Sequence, residues 1–194
     1  MIYRVRENSS MLIIIDCSRK NILTTRYDQT LPKVAYRGRI NLIGGAEDKG
    51  DSTPKDTILR EIDEEIVDVN LKRAMLKKLK FYRDFLSIIP AFDGGPKSDY
   101  ISLDSVFYTE IKDELMSEIA MKIKKGERLI TEGLLTVVPI KDLGKELCAW
   151  STAQILEYYF GCPMINHERA ISVPLGTKTV GSHKKYRKSF EYIN

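Results

Sequence analysis

The chain has 194 residues and a mass of 22.2 kDa, a length that suits one domain with one hydrophobic core. Its 43% hydrophobic and 30% charged residues are typical of a globular protein and exclude a disordered or collagenous chain. Lysine and arginine number 31 and aspartate and glutamate 27, so the net charge is +4, a mild excess that helps to attract a phosphorylated ligand without requiring one.

The apolar segments and the cysteines indicate a protein that stays inside the cell. The longest uninterrupted apolar run, Met11 to Ile15, is far shorter than the ~20 residues of a membrane-spanning helix, so we expect no membrane partner. The first residues lack the apolar stretch of a secretory signal, which predicts a cytoplasmic location. Cys17, Cys148 and Cys162 are widely spaced and odd in number, and we expect them to be buried thiols.

The first half of the chain predicts three strands and one helix. Met11 to Asp16 is β-branched and apolar, as in a strand buried on both faces, and Ile22 to Tyr27 follows as its hairpin partner. Arg39 to Ile43 alternates polar and apolar residues and leads directly into Gly44-Gly45. Capping and proline signals then predict a helix from about Pro54 to Ile66.

The second half predicts a hairpin, a small helix, a strand and a closing helix. Phe85 to Pro90 and Tyr100 to Ile111 form the hairpin, and Lys112 to Lys125 reads as a short, exposed and peripheral helix. Leu134 to Pro139 is a strand, and Lys145 to Tyr159 is an amphipathic helix. Together these elements predict an α/β (α+β) fold with a mixed sheet covered by helices.

Three carboxylates share one face of the first predicted helix. Glu61, Glu64 and Glu65 have the i, i+3 and i+4 spacing. On an isolated helix, like charges at this spacing destabilise the helix by roughly a few tenths of a kcal/mol per pair. The cluster therefore favours a compensating cation. Mg²⁺ is the expected ion, with Mn²⁺ as the alternative, because hard divalent cations prefer carboxylate and carbonyl oxygens.

The segment from Gly45 to Glu65 resembles the signature of the Nudix hydrolase family. Gly45 opens it, Asp51 stands where the family has a glutamate, and Arg60-Glu-Ile-Asp-Glu-Glu65 matches its most diagnostic part without a gap. The chain departs from the family pattern at Asp51, in one extra residue before Arg60, and in Val67-Asp68, which replace the usual glycine and aliphatic residue.

The resemblance implies a Nudix-type α/β/α sandwich and a single Nudix hydrolase domain over residues 1–194. Its core would span about 10–160, followed by a basic C-terminal extension over about 161–194. The implied metal ligands are three carboxylates and one backbone carbonyl, namely Glu61, Glu64, Glu65 and Gly45. The implied catalytic residues are Glu61, Glu64, Glu132 and Arg60, with Glu61 either a third ligand or a base and Glu127 a second choice after Glu132. Arg60 is expected to hold the loop by pairing with Asp51.

The implied reaction is metal-dependent hydrolysis of the phosphoanhydride in a nucleoside diphosphate linked to another moiety: a nucleotide sugar, a dinucleotide or a nucleoside triphosphate. Arg37 and Arg39, on the strand that enters the glycine pair, are candidate phosphate contacts, because a guanidinium group matches the geometry of phosphate oxygens. The alternative is that both are solvated, since alternate residues of a strand point the same way. The candidate residues for stacking on the base are aromatic: Phe81, Tyr82, Phe92 and Tyr100.

Two alternatives stay open. One is an RNA-directed, decapping-like Nudix enzyme, favoured by the six basic residues from Lys72 to Arg83 and the five from Lys178 to Lys188. The other is a catalytically silent Nudix-fold module that binds a nucleotide or a protein. The small-molecule reaction is preferred to both. His167 and His183 are expected to be surface or packing residues, and a homodimer is an open expectation from the resemblance.

Overall fold

The computed structural model describes residues 7–93, 96–165 and 169–175. Within them, eight strands form one mixed sheet: β1 (Glu7–Asp16), β2 (Asn21–Arg26), β3 (Ile40–Asn41), β4 (Ile43–Ala46), β5 (Lys80–Ile89), β6 (Tyr100–Ile111), β7 (Leu134–Pro139) and β8 (Ile171–Pro174). The helices are α1 (Pro54–Glu65), α2 (Val69–Lys77), α3 (Asp113–Lys124) and α4 (Thr152–Phe160), with 3₁₀ segments at Val34–Tyr36 and Ile140–Lys145. Among the described residues, no helix is long and apolar enough to cross a membrane.

The sheet follows the order β3-β2-β1-β6-β5-β8, in which β1 and β6 run parallel and the other neighbours antiparallel. Both predicted hairpins, β1 with β2 and β5 with β6, are confirmed. One edge of β1 is shared by two partners, since its last residues pair with β2 and the segment from Ser9 to Leu12 pairs with β4. This sharing places the two glycines of β4 directly beside the backbone of Ser10 and Met11.

The sheet is covered on both faces, which confirms the predicted sandwich. Side chains alternate along β1, so Leu12 and Ile14 pack toward one core while Ile13 and Ile15 pack toward the other. The first core is closed by α1, α2 and α3, and the second by α4 and the 3₁₀ segment before it. Residues buried on both faces explain why this strand reads as an unbroken apolar run.

The helix α1 begins where the sequence predicts. Thr53 accepts a hydrogen bond from the Asp56 amide at 3.2 Å, and the Asp56 carboxylate accepts one from the Thr53 amide at 2.9 Å. After the helix, the Val67 amide donates to the Leu129 carbonyl and the Thr131 amide donates to the Glu65 carbonyl, both at 2.9 Å. The loop that precedes β7 is thereby fixed beside the C-terminal end of α1.

A second helix immediately follows α1, which the sequence analysis does not predict. The Asp68 side chain accepts a hydrogen bond from the Leu71 amide at 2.8 Å and so caps α2. This explains the departure at Val67-Asp68, because the chain enters a new helix there instead of a glycine-ended turn. The basic residues from Lys72 to Lys77 therefore lie on α2, and Lys80 and Arg83 on β5.

Two other predictions of local structure are wrong, and a third holds in part. α3 is not peripheral, since Met116 and Ile119 are buried in the core. The closing helix begins at Thr152 rather than Lys145, because residues 140–145 form a 3₁₀ segment and Trp150 has a φ of +55°. The strand predicted from Arg39 begins at Ile40 and is interrupted before β4.

The sheet extends past residue 160, the expected end of the core, because β8 pairs with β5. The remainder of the predicted basic extension, including the run from Lys178 to Lys188 and His183, lies outside the described residues, as do His167 and the first six residues.

Candidate functional site

Two glycines carry the chain from the sheet edge to α1, and each is required for a different reason. Gly44 has a φ of +138°, and a Cβ there would lie 2.0 Å from the Ser10 carbonyl oxygen. At Gly45 a Cβ would lie 2.5 Å from Glu61 Oε1 and 2.8 Å from its Cδ. The backbone of Gly45 and the Glu61 carboxylate are therefore in direct contact.

Glu61 and Glu65 bring two carboxyl groups together in a restricted space. Glu61 is only 9% exposed, and burial raises its pKa although the charge of Arg60 opposes the shift. Burial likewise raises the pKa of Glu65, to about 8, and the nearby charges of Glu61 and Glu132 add to it. The two carboxyls share a hydrogen bond, and the Gly44 backbone provides another to Glu65. This pair requires either a proton or a cation between its oxygens.

Arg60 joins the loop to the carboxylates of α1, which confirms its predicted pairing with Asp51. One terminal nitrogen donates to Asp51 Oδ2 at 3.1 Å and to the Ala46 carbonyl at 2.7 Å. The other donates to Glu61 Oε1 at 2.7 Å and to Glu64 Oε2 at 3.0 Å. Burial raises the pKa of Asp51, but its hydrogen bonds, foremost the one from Arg60, outweigh burial and lower it overall.

Glu64 differs from the other two carboxylates of the helix. Its side chain is 58% exposed and is drawn toward Arg60. In the part of the chain that the structure describes, no three histidine, cysteine, aspartate or glutamate side chains form a ready-made metal cage. What does converge is the pair Glu61 and Glu65 against the backbone of Gly45, an oxygen-rich donor set of the kind that Mg²⁺ prefers.

Glu132 approaches the same pair from the loop before β7. Its charge contributes to the raised pKa of Glu65 and, more weakly, to that of Tyr27. Glu127, the second choice from the sequence, lies in the same loop, and both residues line one cavity. The structure therefore brings Glu132 within electrostatic range of Glu65.

Two cavities meet at Tyr27, next to the carboxyl pair. The smaller has a volume of about 260 Å³ and includes Gly44, Gly45, Tyr100 and Trp150 in its walls. The larger has a volume of about 860 Å³ and is lined by the segment from Asp28 to Pro32, by Ile123, and by residues 126–136. The carboxyl pair lines neither cavity but adjoins both, because Glu61 contacts Gly45 of the smaller one and Glu65 lies within electrostatic range of Glu132 of the larger one.

An aromatic cluster forms one wall of the smaller cavity. The Trp150 ring stacks on Tyr36 with centroids 4.5 Å apart, and Lys33 Nζ lies 4.2 Å from the Trp150 ring centroid. Trp150 Nε1 donates to the Tyr27 hydroxyl at 3.3 Å, and the Asn41 side-chain amide donates to the same hydroxyl at 2.8 Å. Burial raises the pKa of Tyr27 to about 12, so its hydroxyl keeps its proton at neutral pH.

A buried carboxylate closes the smaller cavity. Asp104 is 1% exposed and accepts hydrogen bonds from Ser9 at 2.6 Å and Ser151 at 2.8 Å. Trp150, Asn41 and Asp104 are not among the residues predicted from the sequence. The pattern around Trp150 predicts a helix, and no local spacing connects residues that come from β3, β6 and the segment before α4. The single tryptophan of the chain is the one signal that could have directed attention there.

The remaining candidates from the sequence lie elsewhere. The Nε of Arg37 donates to the Leu31 carbonyl at 2.8 Å, and Arg39 is 7% exposed with its guanidinium 5.5 Å from the Tyr36 ring centroid. Neither arginine lines either cavity, and their predicted placement on the strand is wrong, because that strand begins at Ile40. The six basic residues from Lys72 to Arg83 line neither cavity. Of the aromatic candidates only Tyr100 does; Phe81, Tyr82 and Phe92 do not.

The fold is that of Nudix domains of known structure. The NUDIX domain of Shewanella oneidensis NrtR complexed with ADP ribose matches at 12% identity, over 82% of this chain and 89% of that chain, with a TM-score of 0.53. The MutT protein from Methanosarcina mazei Go1 matches at 11% identity, over 83% of this chain and 96% of that chain, with a TM-score of 0.51. Shewanella oneidensis NrtR complexed with a 27mer DNA matches at 14% identity, over 77% and 58%, with a TM-score of 0.50.

No protein-family model matches the chain, and no curated protein matches it. At these identities the likeness to solved structures establishes the Nudix fold, and the function is argued from the site.

Proposed function

We propose that this chain, which has the Nudix fold, is a metal-dependent pyrophosphohydrolase. Its substrate would be a nucleoside diphosphate linked to another moiety: a nucleotide sugar, a dinucleotide or a nucleoside triphosphate. One observation carries the proposal, namely the close pair of Glu61 and Glu65 carboxyls against the Gly45 backbone. Carboxyls with strongly perturbed pKa values cluster at functional sites, which supports a chemical use for this face of the helix.

Glu61 and Glu65, with the Gly45 carbonyl, would hold the metal ion, Mg²⁺ or Mn²⁺. Glu64 is the third candidate ligand, and its exposed side chain is free to rotate away from Arg60. The bound ion would offset the charge of the phosphates and lower the pKa of a bound water. Arg60 positions this machinery, because its guanidinium ties Glu61 to Asp51 and to the Ala46 carbonyl.

Glu132 is the proposed general base. It lies in the loop that the Thr131 amide fixes to the end of α1, within electrostatic range of Glu65. It is also at the border of the larger cavity, where water has access. From there its carboxylate would accept the proton of the attacking water as the phosphoanhydride opens.

The nucleoside would bind in the smaller cavity. Tyr100 offers an aromatic ring for stacking, while Trp150, covered by Tyr36 and Lys33, forms part of the wall. The Asn41 amide donates to Tyr27 and accepts from Thr152, and its second N–H remains for a base edge. Gly44 and Gly45 line the same cavity, so a nucleoside bound there has its phosphates at the carboxyl pair.

The test is hydrolysis of a mixed panel with Mg²⁺ and, separately, Mn²⁺. The panel contains nucleotide sugars, dinucleotides, nucleoside triphosphates and capped RNA, with products identified by mass spectrometry. We expect a nucleoside monophosphate or diphosphate from the native protein and a loss of at least about 100-fold in Glu64→Gln. The control is Asp63→Asn, the adjacent residue on the same helix, whose side chain is 81% exposed. Failure of the native protein to cleave any member with either ion would contradict the proposal.

A second candidate is a nucleotide-binding module without catalysis. It is favoured by the ion pairs of Arg60, whose guanidinium already occupies oxygens of Glu61 and Glu64 that a metal ion would need. Such a module would gain thermal stability from a nucleotide but none from Mg²⁺, whereas the enzyme would be stabilised by both. The RNA-directed alternative has less support, since the Lys72 to Arg83 run lines neither cavity.

A further inference from the structure

The larger cavity carries an inference about the substrate, and it rests on the function proposed above. We infer that this cavity receives the second moiety of the substrate and selects an uncharged, hydroxyl-rich group. The substrate class would then be a nucleoside diphosphate sugar rather than a nucleoside triphosphate.

The larger cavity lies where the second moiety of the substrate would extend. Two cavities that share Tyr27 adjoin the carboxyl pair: Glu61 contacts Gly45, which lines the smaller cavity, and Glu65 lies within electrostatic range of Glu132, which lines the larger. A diphosphate held beside the pair would therefore have one cavity near each of its ends. The larger cavity, about 860 Å³, is well within the ~300–1,000 Å³ typical of ligand sites and is far more than a terminal phosphate needs.

The lining of the larger cavity is acidic. Three carboxylates line the larger cavity: Asp28, Glu127 and Glu132. Of its described lining residues only Arg128 is basic, and its guanidinium already donates to the carbonyls of Ile130, at 3.2 Å, and Thr131. A terminal phosphate or pyrophosphate entering here would face three negative charges with its own, an arrangement that costs binding free energy.

The lining of the larger cavity also suits hydroxyl groups. Carboxylates accept hydrogen bonds from sugar hydroxyls, and three threonines of the lining, Thr30, Thr131 and Thr136, both donate and accept. Leu31 and Leu134 add apolar surface, and Leu134 is 57% exposed. Polar groups beside apolar patches match a sugar ring, which has hydroxyls at its edge and C–H groups on its faces.

The Asp28 carboxylate is already oriented toward the cavity's loop. It accepts hydrogen bonds from the Thr30 amide at 2.8 Å and from the Thr30 hydroxyl at 2.5 Å. These bonds lower the pKa of Asp28, so it is ionised at neutral pH. An asparagine at this position keeps one acceptor oxygen for Thr30 but removes the charge, which makes Asp28→Asn a conservative test.

The experiment compares substrates that share a base. The value of kcat/KM is measured for UDP-glucose against UTP and for ADP-ribose against ATP, with saturating Mg²⁺. We expect the sugar derivative to be preferred by about 100-fold or more, as like charges and missing hydroxyl partners both act against the triphosphate. In the double variant Asp28→Asn/Glu127→Gln the preference should fall by about 10-fold or more. Glu157→Gln, an exposed change on α4 outside both cavities, should keep the native preference.

The inference would be overturned, and the proposed function left intact, if UTP and ATP were cleaved as well as or better than UDP-glucose and ADP-ribose. The same holds if the double variant kept the native preference for the sugar derivatives. If no substrate is cleaved, the proposed function fails, and binding then decides the inference separately. UDP-glucose should raise the Tm of the native protein more than UTP does, and the double variant should lose this difference. Equal stabilisation by the two nucleotides would overturn the inference.

Discussion

Replacing Glu65 by glutamine should remove the main pH dependence of metal-free stability between pH 5 and 8. The raised pKa of Glu65, about 8 in the folded protein, has burial as its largest cause, followed by the charges of Glu61 and Glu132. In the unfolded chain these causes vanish and the pKa returns to 4.5. Between the two values the folded protein retains a proton that the unfolded chain has lost.

The sign and size follow from proton linkage. The native state binds more protons than the unfolded state in this window, so the free energy of unfolding falls as pH rises from about 4.5 to about 8. One pKa unit corresponds to about 1.4 kcal/mol, which sets a ceiling of about 5 kcal/mol on the loss due to Glu65. The lowered pKa of Asp51 acts below this window and with the opposite sign, since its contribution is lost as pH falls.

The assay is urea denaturation in EDTA at several pH values from 5 to 8. The native midpoint should fall across the range, whereas Glu65→Gln should give a nearly constant midpoint and exceed the native protein at pH 8. Saturating Mg²⁺ should abolish the decline in the native protein, because the cation replaces the proton between Glu61 and Glu65. A native midpoint that is constant in EDTA, or a parallel decline in the variant, would refute the reasoning.

The remaining predictions concern the metal, the glycines and the arginine. Mg²⁺ binding at pH 7 should release protons, because the pKa of Glu65 is raised to about 8, and calorimetry in buffers of different ionisation enthalpy measures the release. No release would contradict the carboxyl pair. Gly45→Ala should lower kcat/KM by at least about 10-fold, because the added Cβ displaces the Glu61 carboxylate. The same change should lower the free energy of unfolding by less than about 1 kcal/mol, since only the end of a side chain must move. Gly44→Ala should lower the free energy of unfolding by about 2–4 kcal/mol or prevent folding, because the added Cβ would collide with the backbone of Ser10. Similar urea midpoints for the two glycine variants would disprove this contrast. Arg60→Lys should lose about 1–3 kcal/mol, as an ammonium cannot join Asp51, Glu61 and the Ala46 carbonyl at once; an unchanged midpoint would count against this role.

Local patterns predicted the elements whose cause is local. The unbroken apolar run of β1 follows from burial on both faces, and the capping residues Thr53 and Asp56 fix the start of α1. The pairing of Arg60 with Asp51 was also predictable. It joins a helix residue to the loop just before that helix, so short chain separation brings them together.

Predictions failed where distant contacts overrule local preference. The helix expected from Lys145 begins at Thr152 because the preceding residues are held elsewhere: the Ala149 amide donates to the Ile40 carbonyl at 2.9 Å, and the Ile40 amide donates to the Leu147 carbonyl at 2.9 Å. α3 was read as peripheral because its charged residues are numerous, yet Met116 and Ile119 are buried. The number of charged residues on one face of an amphipathic helix does not indicate how deeply its opposite, apolar face is buried.

The sequence by itself determined the acidic face of α1, the glycine turn that precedes it, and the alternation that makes a two-sided core. These depend on the helical repeat of 3.6 and the strand repeat of 2, which are properties of the local backbone. Only the tertiary structure decided that Glu64 turns to Arg60, that Glu132 comes within range of Glu65, and which side chains line the two cavities. Such proximity arises from sheet order and loop docking between residues far apart in the chain, which no local repeat encodes.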